Sequence, residues 1–365
     1  MYTDETVYKH KKFFDLVVDN LCSSSHDGNI IPVLHLLPDA IPFIYALQKI
    51  ANVPFVIPKP MSVNKTVENE IGVMVRHLSR IDIQNDNFVD QVHNQPTAFI
   101  DIGGYFSNST KTLSQHLQQN FCGIVEDTEN GLQKYLKQEI DFSLISVARS
   151  PLKENEDYMV GKAIGYSIER ILREHNILLS GLEFGVIGYG KIGRSVSRTA
   201  KDNQSFVTIS DKDSIKLTHA FSHGYKTKSI EKLITSCDVI CVATGNVSLK
   251  KTDFRKIKNG CWIFTVTSSD DSIDIQWLKN NYTRTYVSTH VLKYHKGDHY
   301  FYLVNGGNTI NFLHGTTVGD FILLVQAELL VSENELLKNS LKSGLQELNG
   351  EKRRTICTLW LNHFS

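Results

Sequence analysis

The ten residues Phe184-Gly185-Val186-Ile187-Gly188-Tyr189-Gly190-Lys191-Ile192-Gly193 constrain this chain more than any other stretch. An apolar run closes on glycines at the G-x-G-x-x-G spacing, and a helical pattern follows. The first glycine permits a tight turn, and the second lets phosphates approach the backbone. The third lets the helix sit close to the strand, with its N-terminus facing those phosphates. Phe206-Val207-Thr208-Ile209-Ser210 reads as the next strand, and Asp211 stands at its end. An acid about twenty residues past the glycines accepts hydrogen bonds from the adenosine ribose of NAD and repels the extra phosphate of NADP. The pattern predicts NAD as the cofactor, held by Gly188, Gly190, Lys191, Ile192, Gly193 and Asp211.

A chain of 365 residues has two domains by default. Acidic and basic residues balance at 39 each, which gives no electrostatic reason to expect nucleic acid or an anionic membrane as partner. No apolar run is long enough to span a bilayer, and the opening Met1-Tyr2-Thr3-Asp4-Glu5 is unlike a secretory signal. Cys22, Cys122, Cys237, Cys241, Cys261 and Cys357 form no metal-type C-x-x-C pair. The expectation is a soluble cytoplasmic protein with reduced thiols and no metal.

Short apolar runs at Ile30–Leu36, Ala98–Ile102 and Phe142–Val147 alternate with helical patterns such as Phe43–Ala51 and Val67–Ile81. Alternation of this kind predicts an α/β fold with parallel sheet covered on both faces. Glu156–His175 reads as one long amphipathic helix leading into the glycine unit. Beyond Asp211 the alternation continues through Val239–Ala243, Cys261–Val266 and a strand near Tyr300–Val304. Val318–Leu341 reads as helical and Arg353–Ser365 as mixed. A glycine unit in mid-chain predicts an NAD-binding Rossmann domain, 161–318, inserted into a second parallel-sheet α/β substrate domain, 1–160 plus 319–365. Ligands of open parallel sheets sit beyond the carboxyl ends of the strands. That makes His35, Asp101, the Glu126-Asp127-Thr128 segment and Lys153 candidates for one cleft.

Several segments, in the same order, resemble the S-adenosylhomocysteine hydrolase family over roughly Ile30 to Val331. Gly188-Tyr189-Gly190-Lys191-Ile192-Gly193 resembles its G-Y-G-x-V-G, and Gly123-Ile124-Val125-Glu126-Asp127-Thr128 its G-x-x-E-E-T. Ser150-Pro151-Leu152-Lys153 through Asp157 resembles S-x-x-K-x-x-x-D, and Ile273 to Leu278 resembles I-D-x-x-W-L. Gly307 to Asn311 resembles G-R-x-x-N, with Asn308 in place of the arginine. The resemblance implies a two-domain clamp, a homodimer or homotetramer, and tightly held NAD. Its implied chemistry is oxidation of a ribose hydroxyl, which acidifies the neighbouring carbon ahead of elimination. By that resemblance Lys153, Asp157 and Asp127 flank the sugar hydroxyls, and His35 serves the eliminating carbon. Thr128, Thr244, Gly245, Asn246 and Asn311 join the cofactor contacts, while Asp101, Ile102, Tyr105, Tyr158, Ser268 and His314 are candidates for substrate contact.

The departures fall on the eliminating half. Ile102 and Tyr105 stand where the family has acids, Ser268 and Val318 where it has histidines, Tyr158 for an asparagine and Lys162 for a cysteine. The adenine-site pattern becomes Leu37-Pro38-Asp39, and the family's C-terminal tail is not recognisable in Thr358 to Ser365. Losing proton carriers costs orders of magnitude in rate. Three readings stay open: an NAD-dependent enzyme acting on another nucleoside or sugar derivative, a non-catalytic NAD-binding regulator, and a genuine adenosylhomocysteinase.

Overall fold

The computed structural model describes residues 3–22, 25–85, 88–90, 92, 94–245, 247–266, 273–311, 313–314, 318–338 and 341–365. They form two compact units: unit 1, Met1–Lys153 with Gly319–Ser365, and unit 2, Glu154–Val318. The strands in chain order are β1 (Asn29–Leu36), β2 (Phe55–Val63), β3 (Met74–Val75), β4 (Thr97–Asp101), β5 (Phe121–Glu126) and β6 (Ser143–Ser146). They continue with β7 (Glu183–Ile187), β8 (Phe206–Ser210), β9 (Lys226–Thr227), β10 (Val239–Val242) and β11 (Trp262–Thr265). The last are β12 (Thr283–Ser288), β13 (Val291–Lys296), β14 (His299–Val304) and β15 (Gly344–Gln346).

Unit 1 is a sheet of order β15-β6-β5-β4-β1-β2-β3 with every pairing parallel. All five residues of β4 are buried, as expected where helices cover both faces. The helix Ile322–Leu337 lies against β4 and β5 and is buried nearly all round, so its sequence carries no clean apolar stripe. Its buried Glu328 is held by Arg353 Nε at 2.6 Å and by the Ser150 hydroxyl. Pairing β1 to β2 breaks register between Leu34, opposite Pro58, and Leu36, opposite Val63. Residues 59–62 therefore bulge out opposite His35 alone.

Two expectations are corrected here. Val67–Ile81 is not one helix: a helix capped by Asn64 spans Lys65–Glu70, and Gly72, at φ +66°, turns the chain into β3. Arg353–Ser365 is not mixed but belongs to the helix Gly350–Phe364, which lies against the helices Asp4–Leu21 and Ile322–Leu337. Phe13, Trp360 and Phe364 form part of an aromatic cluster at that junction.

Unit 2 has the order β12-β13-β14-β11-β10-β7-β8-β9. Reading β7, β8, β9, β10, β11 and β14 as strands one to six gives 3-2-1-4-5-6, the doubly wound order of dinucleotide-binding folds. β12 and β13 extend it antiparallel beyond β14. The strand order reverses between β7 and β10, and there the turns after both strands open a crevice of the kind that receives a dinucleotide.

Candidate active site

The glycine turn in unit 2 obeys the steric logic of its spacing. Gly188 has φ +100°, and a Cβ there would stand 2.5 Å from Ala243 O. A Cβ on Gly193 would stand 2.0 Å from Gly188 O, so only glycine lets the helix Lys191–Asp202 close onto the turn. Around Gly190 and Gly245 nothing lies within 4 Å of the missing Cβ, which leaves the space phosphates need. Gly161 and Gly165 bring the long helix Lys153–Glu174 against that same helix: their Cβ atoms would stand 2.4 Å from Ser195 and 2.5 Å from Thr199. Asp211 takes the Tyr189 amide at 2.7 Å and the Asp213 amide at 2.9 Å. Its carboxylate thereby ties the end of β8 to the glycine turn. These features fit NAD: open backbone for a pyrophosphate, and a carboxylate at the ribose position.

Other residues expected at the cofactor divide among several places. Thr244 follows β10 and bonds Ser248. Asn311 accepts from Thr309 Oγ1 at 2.6 Å. Lys191 opens the helix 3.8 Å from Asp157, and Arg194 pairs with Glu154 at 3.0 Å. Asp157 thus faces the cradle's own helix. Thr128 lies in unit 1, where it caps the helix Glu129–Tyr135 by accepting from the Gly131 amide at 3.0 Å. Tyr158 is partly exposed and its carbonyl accepts from Ser195 Oγ, while His314 Nδ1 meets Ser167 Oγ at 3.1 Å. Asn246 and Ser268 lie outside the described residues.

In unit 1, several candidate side chains gather at the carboxyl ends of the parallel strands. Lys153 Nζ donates to Asp127 Oδ1 at 2.8 Å, with both side chains largely shielded from solvent. His35, near the end of β1, bonds Ser62 Oγ through Nδ1. The Ser62 hydroxyl also lies 3.2 Å from Lys59 O, so Ser62 links the imidazole to the backbone of the bulge. Burial, helped by Lys59, lowers the His35 pKa from 6.5 to about 4, which fixes a neutral imidazole at neutral pH.

Asp101 stands behind this group. Fully buried, it accepts the Tyr105 amide at 2.8 Å, the Phe106 amide at 3.0 Å and the Tyr135 hydroxyl. Glu126, also fully buried, accepts the amides of Gly103 at 3.1 Å, Gly104 at 3.0 Å and Thr128 at 2.7 Å, with the Thr128 hydroxyl as well. Burial pushes both carboxyls upward in pKa. Together the two acids shape the loop after β4, in which Gly103 and Gly104 take φ +89° and +66°. Asp101 therefore positions the loop, and Ile102 and Tyr105 are buried within it.

The structure adds residues that sequence reading passed over. Lys59 Nζ donates to Ile102 O at 2.9 Å, and Arg80 Nη2 and Lys134 Nζ donate to Gly103 O at 2.7 and 2.9 Å. Lys59 and Arg80 both lie over the Tyr105 ring, 4.9 and 5.0 Å from its centroid. The one advance signal is Pro58-Lys59-Pro60, since proline inside a strand marks an edge or a bulge.

Unit 2 is thus a dinucleotide-binding Rossmann domain, and NAD is its cofactor. Residues 162–317 match the family described as S-adenosyl-L-homocysteine hydrolase, NAD binding domain. The adenosylhomocysteinase of Thermotoga maritima is 26% identical over 196 residues, covering 52% of this chain and 48% of that relative. Through residues 162–317 the chain is similar to the adenosylhomocysteinase family, from which it has diverged, and it spans about half the length of the curated relative it matches. Among solved structures, the dipicolinate synthase A chain from Bacillus subtilis is similar with a TM-score of 0.48 at 12% identity, covering 87% of this chain and 99% of that one. Phosphoglycerate oxidoreductase from Vibrio cholerae is similar at 0.44 and 13%, covering 70% and 81%.

Proposed function

We propose that this protein is an NAD-dependent enzyme that oxidises a ribose-like hydroxyl of a nucleoside or sugar derivative. In this reading the substrate differs from S-adenosylhomocysteine, and oxidation is coupled to elimination, epimerisation or hydrolysis. When bound, NAD supplies the oxidising chemistry; the chain's own residues supply position and proton traffic. The observation that carries the reading is the shielded Lys153–Asp127 pair on the same sheet ends as a neutral His35. Asp127 accepts a hydrogen bond from the substrate hydroxyl and orients it, and Lys153 Nζ, once it has given up a proton to become the neutral amine, takes the hydroxyl proton. His35, held neutral by burial, exchanges the proton of the neighbouring carbon.

The test begins with purified protein and mass spectrometry for NAD, followed by a panel of nucleosides and sugars. Reduction of the cofactor, seen by near-ultraviolet absorbance, is expected with at least one of them. Lys153→Ala is expected to abolish that reduction while NAD stays bound. Failure of every nucleoside and sugar to reduce NAD would sink the enzyme reading. Release of adenosine and homocysteine at an ordinary enzymatic rate would instead return the substrate to the one set aside.

A further inference from the structure

We infer that the carboxyl end of the unit 1 sheet binds an anionic group of the substrate, a carboxylate or a phosphate, through Lys59 and Arg80. This deepens the proposed function and rests on its placement of the substrate at these strand ends.

Three observations lead there. First, the loop beyond β4 carries the uncharged Ile102 and Tyr105, and two cations, Lys59 and Arg80, lie over Tyr105. Second, the nearby acids are occupied elsewhere. Asp101 and Glu126 are spent on the loop amides, the Thr128 hydroxyl and the Tyr135 hydroxyl. Asp127 is paired with Lys153 and Glu129 with Arg149. Among the described residues, neither Lys59 nor Arg80 has a carboxylate within 4.0 Å; each is tethered by one backbone carbonyl, Ile102 O and Gly103 O. An ammonium has three donors and a guanidinium five, so both retain donors for a ligand.

Third, Lys59 is delivered by a bulge. The register break between Leu34 and Leu36 pushes residues 59–62 out opposite His35, and bulges re-aim side chains beside active sites. Lys59 is thus carried on the same four-residue excursion as Ser62, the partner of His35. Burial and Arg80 lower the Lys59 pKa to about 8, against the pull of Asp101 and Glu126. A bound anion would reverse that by stabilising the ammonium.

The experiment uses the full-length holoprotein and isothermal titration calorimetry with matched probes: glucose, glucose 6-phosphate and glucuronate, and adenosine beside its 5′-monophosphate. At least one anionic probe is expected to bind ten times or more tighter than its neutral partner. The phosphate and carboxylate arms identify which acid is preferred. Lys59→Met and Arg80→Met should each erase that preference, lowering affinity for the anionic probes by a larger factor than for their neutral partners. Arg80 is exposed, so its variant keeps the test open if Lys59→Met does not fold, as read from Trp360 fluorescence. Binding should also take up protons near pH 8, seen by comparing buffers of different ionisation enthalpy, and should weaken above that pH. Equal affinity for neutral and anionic probes, no binding of any anion, or full affinity in both variants would overturn the inference. If neutral nucleosides reduce NAD while anions do not bind, the inference falls and the oxidation reading stands. If anions bind through Lys59 and Arg80 but no substrate ever reduces NAD, the reverse holds.

Discussion

Acid should loosen unit 1 through His35, and the structure sets both the sign and the size. Folded, the imidazole titrates at about 4; unfolded, it returns to its ordinary value of 6.5. Between those values the unfolded chain binds the proton and the folded chain does not. Stability contributed by neutral His35 is therefore present above pH 6.5 and is lost as pH falls toward 4. The full effect is ~3 kcal/mol, and between pH 7 and 4.5 it comes to about 2 kcal/mol once partial solvent access is allowed for. Asp101 and Glu126 act in the opposite direction, because raised carboxyl pKa values favour the folded state in acid. The raw pH dependence is thus a sum, and only a comparison with His35→Gln isolates the histidine. Trp360 is the tryptophan of unit 1, while Trp262 and Trp277 belong to unit 2. Urea unfolding followed by Trp360 fluorescence, with the other two replaced by phenylalanine, reads the right unit. The wild type should lose about 2 kcal/mol more than His35→Gln on going from pH 7 to 4.5. Parallel losses in the two proteins would show that His35 is not held neutral by its surroundings.

Other outcomes follow from single contacts. Gly193→Ala places a Cβ 2.0 Å from Gly188 O, so NAD affinity measured by calorimetry should fall by about tenfold or more; unchanged affinity would mean the turn yields freely. Asp211→Ala removes the carboxylate that ties Tyr189 and should narrow the preference for NAD over NADP by roughly 10- to 100-fold; an unaltered ratio would move the ribose contact elsewhere. Glu333 is fully buried, with both carboxyl oxygens lacking a partner among the described residues, and burial pushes its pKa well up. Its contribution is present in acid and lost as pH rises, so Glu333→Met should raise stability at pH 7 by about 1–3 kcal/mol in urea titration; a loss would point to a partner it holds in solution.

Much of the fold could be read from local pattern because its strands are buried on both faces. Ala98-Phe99-Ile100 and Val239-Ile240-Cys241-Val242 are continuous apolar runs, and the glycine turn carries its own steric grammar. The strand β2 escaped because Pro54, Pro58 and Pro60 read as breakers, when Pro58 borders a bulge and Pro60 lies within it. β12 escaped because all six of its residues are exposed and show no alternation. At the site, motif order nominated Lys153, Asp127 and His35, which the structure brings to the ends of one sheet. It misjudged Asp101, whose acid is spent inside the protein, because spacing does not say which way a carboxylate faces. Lys59, Arg80 and Lys134 were out of reach for another reason. Each reaches a carbonyl of the loop after β4 from a different part of the chain, and no local spacing encodes such a meeting.

The return of residues 319–365 to unit 1 has a consequence for how the protein is made. During synthesis the first 153 residues emerge with the faces of β4 and β5 that Ile322–Leu337 will cover still bare, and with the edge of β6 awaiting β15. Unit 2 is contiguous and can close as soon as its last strand leaves the ribosome. The nascent chain must therefore carry a half-built apolar sheet through the whole translation of its cofactor domain, a window of roughly ten to thirty seconds at ordinary elongation rates. Yield in the cell should depend on what shelters that sheet in the interval as much as on the stability of the finished protein.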